Sequence, residues 1–271
     1  MSQRLRGKVV FVTGVARGQG RAIAVRMAQE GADVIGVDLA GELPGVPYPS
    51  ATLDDLKQTI ALVEAAGARA LIEQGDVRDR DGLLSLVGRG VVEFGGLHGI
   101  VANAGICIPG TWDATTPEEF RDTIDINVTG VWNTVIAGAR HVIDAGGGSI
   151  VLTSSYAGLK IQPFMVPYTA SKHAVTGMAR AFAAELGQYN VRVNSIHPGA
   201  VDTPMGAGDM RQRNDELNRT NPPLGLMATA FLQDRRIDVE DVADLVLFLM
   251  SDDSKKITSD HLSIDAGAHS Y

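Results

Sequence analysis

Val9-Val10-Phe11-Val12-Thr13-Gly14-Val15-Ala16-Arg17-Gly18-Gln19-Gly20 decides how this chain folds. The first five residues are a continuous apolar run of the kind found in strands buried on both faces of a parallel sheet. Glycines at 14, 18 and 20 follow, and a helical pattern begins at once. Such glycines let the backbone turn tightly and approach an anion, and the helix N-terminus offers free N–H groups to it. The spacing is G-x3-G-x-G, not the G-x-G-x-x-G of the standard dinucleotide fingerprint. The surroundings of that fingerprint are nonetheless present: a strand before, a helix after, and an acidic residue, Asp38, closing the second strand.

Outward from this turn the same alternation continues. Strands are predicted at Val9–Thr13, Asp33–Val37, Ala70–Glu73, Gly99–Ala102, Ser149–Thr153, Arg192–Ile196 and His261–Ile264, with helical stretches between them. One helix should start at Thr116-Pro117-Glu118-Glu119, a capping box with proline at the first helical position. Another should start near Asp238-Val239-Glu240-Asp241. The pattern predicts an α/β fold: a Rossmann-type, doubly wound parallel sheet of about seven strands, helices on both faces, forming a single domain over residues 1–271. Two segments interrupt it. Residues 39–52 carry Pro44, Pro47 and Pro49, too many for a helix, and read as an insertion lying near a cofactor. Residues 203–236 hold Met205, Met210, Leu224, Met227 and Phe231 around Pro222-Pro223, and read as an apolar lid.

Asp38 carries a specific expectation. A carboxylate there accepts hydrogen bonds from both hydroxyls of an adenosine ribose and repels a 2′-phosphate, which favours NAD over NADP. Arg17 argues the other way, but Leu39 offers no second cation. Asp76-Val77 follows the third strand, where the aspartate could reach an adenine amino group. Asn103-Ala104-Gly105 follows the fourth, at the carboxyl edge where ligands of such sheets gather.

The chemistry is written further on. Tyr168 and Lys172 lie four residues apart, so on a helix they share a face. An ammonium beside a phenol favours the phenolate and should lower its pKa toward neutrality. A phenol tuned in this way exchanges a proton with an alcohol or ketone oxygen.

Bulk properties exclude other classes. The 271 residues carry a formal net charge of -8, which argues against nucleic-acid and anionic-membrane partners. Cys107 has no second cysteine to pair with, and no apolar run approaches a signal peptide or a membrane span, so a cytoplasmic protein is expected. The six histidines lack metal-ligand spacing, and no metal site is expected. His197 and Cys107 read as packing residues beside the site, and Trp112 and Trp132 as core or interface residues. There is no G-x-S-x-G elbow to support a hydrolase.

Taken in order, these motifs resemble the short-chain dehydrogenase/reductase family from Gly7 to Gly267. The matching features are the Thr13-Gly14-x3-Gly18-x-Gly20 turn, Asn103-Ala104-Gly105, Asn127, Ser155, Tyr168-x3-Lys172 and Pro198-Gly199-x3-Thr203. The resemblance implies that Tyr168 is the catalytic acid/base and that Lys172 tunes it and holds the nicotinamide ribose. It implies that Ser155, rather than Ser154, bonds the substrate oxygen, and that Asn127 holds a water on a proton path. A mid-helix asparagine is a poor helix former and fits such a second role. The glycine turn with Arg17 and Gln19 would take the pyrophosphate, and Leu39 and Asp38 the adenosine. Pro198, Gly199, Val201, Thr203 and Met205 would line the nicotinamide end. The 39–52 insertion, with Gly-Val-Pro-Tyr-Pro-Ser-Ala-Thr-Leu-Asp-Asp-Leu at 45–56, is similar to that of the mycofactocin-associated, carveol dehydrogenase-like subgroup. That likeness implies a lipophilic secondary alcohol or its ketone as substrate. It also implies NAD held between turnovers, an external redox carrier and a homotetramer. A 3-oxoacyl-thioester reductase uses the same catalytic groups, and a non-catalytic dinucleotide sensor would share the fold. Ile257-Thr258-Ser259-Asp260-His261 departs from the family's usual Thr-Gly before the last strand, which puts the local turn in question.

Overall fold

The computed structural model describes residues 3–206 and 208–270. Seven strands form one parallel sheet: β1 Val9–Thr13, β2 Asp33–Asp38, β3 Ala70–Gln74, β4 Gly99–Ala102, β5 Gly148–Thr153, β6 Val191–Pro198 and β7 His261–Ile264. Their spatial order is β3-β2-β1-β4-β5-β6-β7. The order reverses between β1 and β4, and the carboxyl ends of those two strands open a crevice.

Alternation along each strand feeds two cores. Val10 and Val12 join Ile23, Met27, Leu56, Val63, Val242 and Val246 on one face. These come from helices α1 Gly18–Gln29, α2 Leu53–Ala65 and, at 239–250, the helix before β7. Val9 and Phe11 face the opposite way, against Leu83, Val87, Val131, Val135, Val175 and Ala179. That layer is built from α3 Arg80–Phe94 and from two helices that start at Gly130 and Val166. Phe11 is fully buried, so truncation to alanine should cost about 3–5 kcal/mol.

Helix starts follow the side-chain chemistry. Thr52 with Asp55, Thr116 with Glu119, and Asp238 with Asp241 each form a capping box. Such a cap contributes about 1 kcal/mol. From Thr116 runs α4, Pro117–Ile124, which passes through one π-helical turn, Asp125–Thr129, into α5, Gly130–Asp144. Asn127 lies in that turn and is fully buried. Wide turns of this type inside helices recur at functional sites. After β5, α6 spans Val166–Leu186 and carries Tyr168 and Lys172 one turn apart.

Residues 39–52 are irregular, as their prolines require, and end at the Thr52 cap. Residues 203–236 differ from the expected loop. They contain a 3₁₀ turn at Pro204–Gly206, helix α7 at Asp209–Thr220 and a short helix α8 at Pro222–Gly225. Gln, Arg, Glu and Leu between 210 and 217 are good helix formers, and Pro222 opens α8 where its missing N–H is harmless. The last helix is α9, Val239–Met250. The turn before β7 forms without glycine: Ser259 takes φ +63° and donates its N–H to Val193 O at 2.7 Å. Trp112 is 84% exposed and is not a core residue. Among the described residues no helix is long and apolar enough to cross a membrane.

Candidate active site

The crevice between β1 and β4 widens into a groove along the carboxyl edge of the sheet. Gly14, Arg17, Gly18, Gln19 and Gly20 form its floor; Asp38, Leu39, Asp76 and Val77 close one end; Asn103, Ala104, Gly105, Thr203 and Met205 lie toward the other. The glycines are required by contact. A Cβ on Gly20 would stand 1.9 Å from Gly14 O, and one on Gly14 would stand 2.9 Å from Ala104 Cα. Gly14 and Gly18 also have φ of +70° and +56°. A Cβ on Gly18 would stand 3.4 Å from Thr203 Cγ2, in ordinary contact, so it is the positive φ that calls for glycine there. Gln19 Oε1 is buried there without a hydrogen-bond partner among the described residues. This arrangement fits a dinucleotide whose pyrophosphate sits at the start of α1.

Asp38 ends β2 beside the groove. Its Oδ2 accepts from Ala16 N at 2.9 Å and its Oδ1 from Ala40 N at 3.0 Å. Ala40 is held at φ +42°, a conformation that alanine rarely adopts. Arg17 does not lie free to meet a phosphate, because its Nη2 donates to Pro49 O in the 39–52 segment. Asp76 lines the groove, but both of its carboxylate oxygens accept from Arg78. Asn103 ties the two strand ends together, donating from Nδ2 to Thr13 O at 3.1 Å. Pro198 ends β6, Gly199 and Val201 follow it, and their described contacts run to the body of the protein. A Cβ on Gly199 would meet Asp265 Cα at 2.8 Å, and Val201 bridges to Ile237, so these three shape the loop that delivers Thr203 and Met205.

Leu43, Val46, Tyr48 and Ser50 of the 39–52 segment also line the groove. Leu43 and Val46 pack on Val77, Ile106, Ile108 and Ile126. Tyr48 reaches further, and its Oη accepts from Cys107 N at 3.3 Å. There it joins Tyr168, Met165, Met205, Met210 and Cys107 in an apolar cluster. Sequence reasoning missed Tyr48, since a proline-rich stretch has no periodicity to say which residue turns inward.

Lys172 is 4% exposed and donates from Nζ to Thr153 O at 2.9 Å. Its Nζ lies 5.5 Å from the centre of the Tyr168 ring. Burial brings the ammonium's pKa down to about 8. The Tyr168 phenol departs from the sequence expectation: burial pushes it above its usual value, and a hydrogen bond with Ser155 pulls it back only in part. Spacing alone announces the nearby cation but not how completely the protein removes water from the phenol.

Ser155 and Ser154 have separate tasks. Ser154 Oγ donates to Lys172 O at 2.9 Å and so anchors α6. Ser155 Oγ accepts from Ala157 N at 3.1 Å and reaches Pro198 O at 3.4 Å, on the side of Tyr168. The Asn127 side chain is fully engaged. Its Oδ1 accepts from Ile106 N at 2.8 Å, and its Nδ2 donates to Ile106 O at 2.9 Å and Ser171 Oγ at 3.1 Å. It therefore locks the loop after β4 onto α6. His197 is fully buried, with Nδ1 2.8 Å from Ser155 O. Cys107 is buried too, and its thiol is pushed up to about 12 by that burial, which makes it an inert packing group. Among the described residues no three His, Cys, Asp or Glu side chains are grouped to hold a metal ion.

A phenol, a buried ammonium and a serine hydroxyl thus meet where a glycine-floored groove joins an apolar cluster. The family model described as enoyl-(acyl carrier protein) reductase matches residues 14–269. The chain belongs to the short-chain dehydrogenase/reductase family. It is 57% identical to a short-chain dehydrogenase from Mycobacterium paratuberculosis solved bound to NAD, covering 99% of this chain and 100% of that one with a TM-score of 0.98. A carveol dehydrogenase from Mycobacterium avium in complex with NAD is 42% identical, covers 99% of both chains and gives a TM-score of 0.92. The (-)-trans-carveol dehydrogenase of Rhodococcus erythropolis is 41% identical over 97% of this chain and 98% of its own. The family resemblance read from the motifs is therefore correct. The NAD expected from Asp38 is the cofactor that both of these solved relatives hold.

Proposed function

We propose that this protein is an NAD-dependent dehydrogenase/reductase that interconverts a lipophilic secondary alcohol and its ketone. The observation that carries the reading is the place of Tyr168. Its ring belongs to the apolar cluster of Cys107, Met165, Met205, Met210 and Tyr48, and its phenol faces Ser155 and Lys172. An alcohol seated there has apolar walls and one polar corner, the usual form of a small-molecule site.

NAD, when bound, supplies the hydride acceptor or donor, and the protein supplies orientation and proton handling. The glycine turn and Asp38 would hold the pyrophosphate and the adenosine ribose. Ser155 Oγ and Tyr168 Oη would both hydrogen-bond the reacting oxygen and stabilise the charge that develops on it. Tyr168 Oη takes the hydroxyl proton in oxidation and returns one in reduction. Lys172, held by Thr153 O and the buried frame around Asn127, favours the phenolate.

Residues 39–52 are read as a flap that retains NAD. Asp38 fastens its start and Arg17 its far end, while Tyr48 crosses to the apolar cluster. A retained cofactor needs re-oxidation in place, so an external redox carrier of the mycofactocin type fits this reading, in a cytoplasmic homotetramer. Reduction of a 3-oxoacyl thioester would use the same catalytic groups, but Asp38 disfavours the NADP common in biosynthesis.

The test is a panel of alicyclic and terpenoid alcohols with NAD and an artificial electron acceptor. The expected result is turnover that Tyr168→Phe abolishes, with stoichiometric NAD(H) released on denaturing the purified protein. No turnover across the panel, or tight binding of NADPH in its place, would overturn the proposal.

A further inference from the structure

Behind Ser155 the polar contacts continue away from the substrate side. His197 Nδ1 lies 2.8 Å from Ser155 O, and His197 Nε2 lies 2.8 Å from Ser195 Oγ. Ser195 Oγ in turn lies 2.6 Å from His261 Nδ1. The register of the sheet sets Ser195 of β6 directly beside His261 of β7. The two imidazoles meet edge to face, with centroids 5.6 Å apart. His197 and Ser195 are both fully buried.

The direction of every hydrogen bond in this row follows from its first member. Ser155 O is a carbonyl and only accepts, so His197 Nδ1 must carry a hydrogen. Burial keeps His197 neutral at physiological pH, with a pKa brought down to about 4. Its Nε2 is then a bare acceptor and takes the Ser195 hydroxyl hydrogen. Ser195 has no further hydrogen to give, so its oxygen must accept from His261 Nδ1–H. A neutral His261 then has a bare Nε2, and that atom is buried without a partner among the described residues. Both histidines are thereby set in the Nδ1–H tautomer, the one that a free imidazole side chain populates less. Which ring nitrogen carries hydrogen is fixed by the bond the other one makes.

We propose that Ser195 and His261 hold the His197 ring against Ser155 O, and that His197 is a positioning residue for Ser155. Without the Ser195 hydroxyl, His197 Nε2 is a buried acceptor with no hydrogen to take, and the ring loses the bond that fixes it on that side. The Nδ1–H bond to Ser155 O at 2.8 Å then no longer keeps the serine backbone in its seat. A hydroxyl that must meet a developing alkoxide tolerates little displacement. His197 acts through Ser155 O and Ser195 Oγ, not by touching substrate or cofactor. The inference rests on the assignment of Ser155 to the substrate oxygen.

The test uses 15N-labelled holoprotein and the ring-nitrogen shifts of its histidines at neutral pH, paired with steady-state kinetics. Wild type should show His197 and His261 neutral and protonated at Nδ1. Ser195→Ala should leave His197 protonated at Nδ1, shift its Nε2 resonance to that of an acceptor without a hydrogen bond, and lower kcat about ten- to a hundredfold, with NAD affinity unchanged. His261→Leu should act in the same direction. His261→Asn, whose amide N–H2 replaces the Nδ1–H donor, should restore both the hydrogen-bonded Nε2 signal and the rate; His261 is only partly buried on an edge strand, which favours folding of both variants. A wild-type His197 that is cationic or protonated at Nε2 overturns the proposal whatever the enzyme turns over. Loss of the Nε2 hydrogen bond in Ser195→Ala with kcat intact overturns the positioning role. Failure of any Tyr168-dependent turnover would instead overturn the oxidoreductase reading, while the tautomers, measured without substrate, still decide the relay.

Discussion

Two segments cover the carboxyl edge of the sheet, and they are held in opposite ways. Residues 39–52 have no regular structure, yet they are fastened along their length. Ala40 N is bound by Asp38, Leu39 O by Gln74 Nε2 at 3.0 Å, Pro49 O by Arg17 and the Tyr48 hydroxyl by Cys107 N. Residues 203–236 are largely helical, yet the side-chain hydrogen bonds described for α7 stay within it, as in Gln212 to Glu216 and Thr220 to Leu217. This second cover is pinned near its far base, where Phe231 N and Leu232 N donate to Ala266 O, and by Met210 inserted in the apolar cluster. Regular structure is thus a poor guide to which cover moves; the bonds that cross to the body of the protein are the better one. A cofactor kept under the first cover and a substrate exchanged under the second would use that difference.

The largest effect should come from beneath both covers. Tyr168→Phe should lower turnover by roughly 10²–10⁴-fold and leave NAD release, followed by cofactor fluorescence, unaltered. A change in release would mean that the phenol itself holds the flap, and would blur the division between the two covers.

Lys172→Met should abolish turnover and yet stabilise the fold. A pKa of about 8 against 10.5 is about 2.5 pH units, or about 3 kcal/mol of unfavourable burial. About 1 kcal/mol of that gain is offset by leaving Thr153 O unpaired. A net gain of about 2 kcal/mol should appear in denaturant unfolding at pH 7. The sign follows from linkage: between about pH 8 and 10.5 the unfolded chain binds more protons than the folded one, so wild type gains stability as pH rises. The advantage of the methionine variant should shrink across that window, and an advantage that grew there would refute the assignment.

Arg17→Ala should loosen the first cover alone. Loss of one charge-assisted hydrogen bond predicts NAD dissociation about tenfold faster, with KM for the alcohol little changed. Met210→Ala should do the reverse at smaller size, raising KM for a lipophilic alcohol about three- to fivefold through lost apolar contact while NAD retention is unaffected. Equal responses of both variants in both assays would erase the contrast between the covers.

Most of the frame was legible because its signals are local. Val/Ile runs marked every strand, with three of them, β1, β4 and β7, matching end for end. Thr116-Pro117 and Asp238 marked helix starts through side-chain capping. Tyr168 and Lys172 were legible because helical spacing puts them on one face. What stayed hidden depends on contacts between distant residues. His197 became a partner of Ser155 only through strand register, which sets the end of β6 beside the end of β5 and Ser195 beside His261. Helix α7 was obscured by Pro222-Pro223 and by Gly206 and Gly208 around it. The upward shift of the Tyr168 phenol required knowing how deeply it is enclosed.

Asp38 and Arg17 are usually thought of as readers of the ribose. Here each is also mortar for the flap, one at Ala40 and the other at Pro49. A lineage drifting toward a phosphorylated cofactor would have to neutralise the first and free the second. Both changes would unfasten the flap. Coenzyme choice and coenzyme retention would therefore be inherited together, and an engineer who wants to change one should plan to rebuild the other.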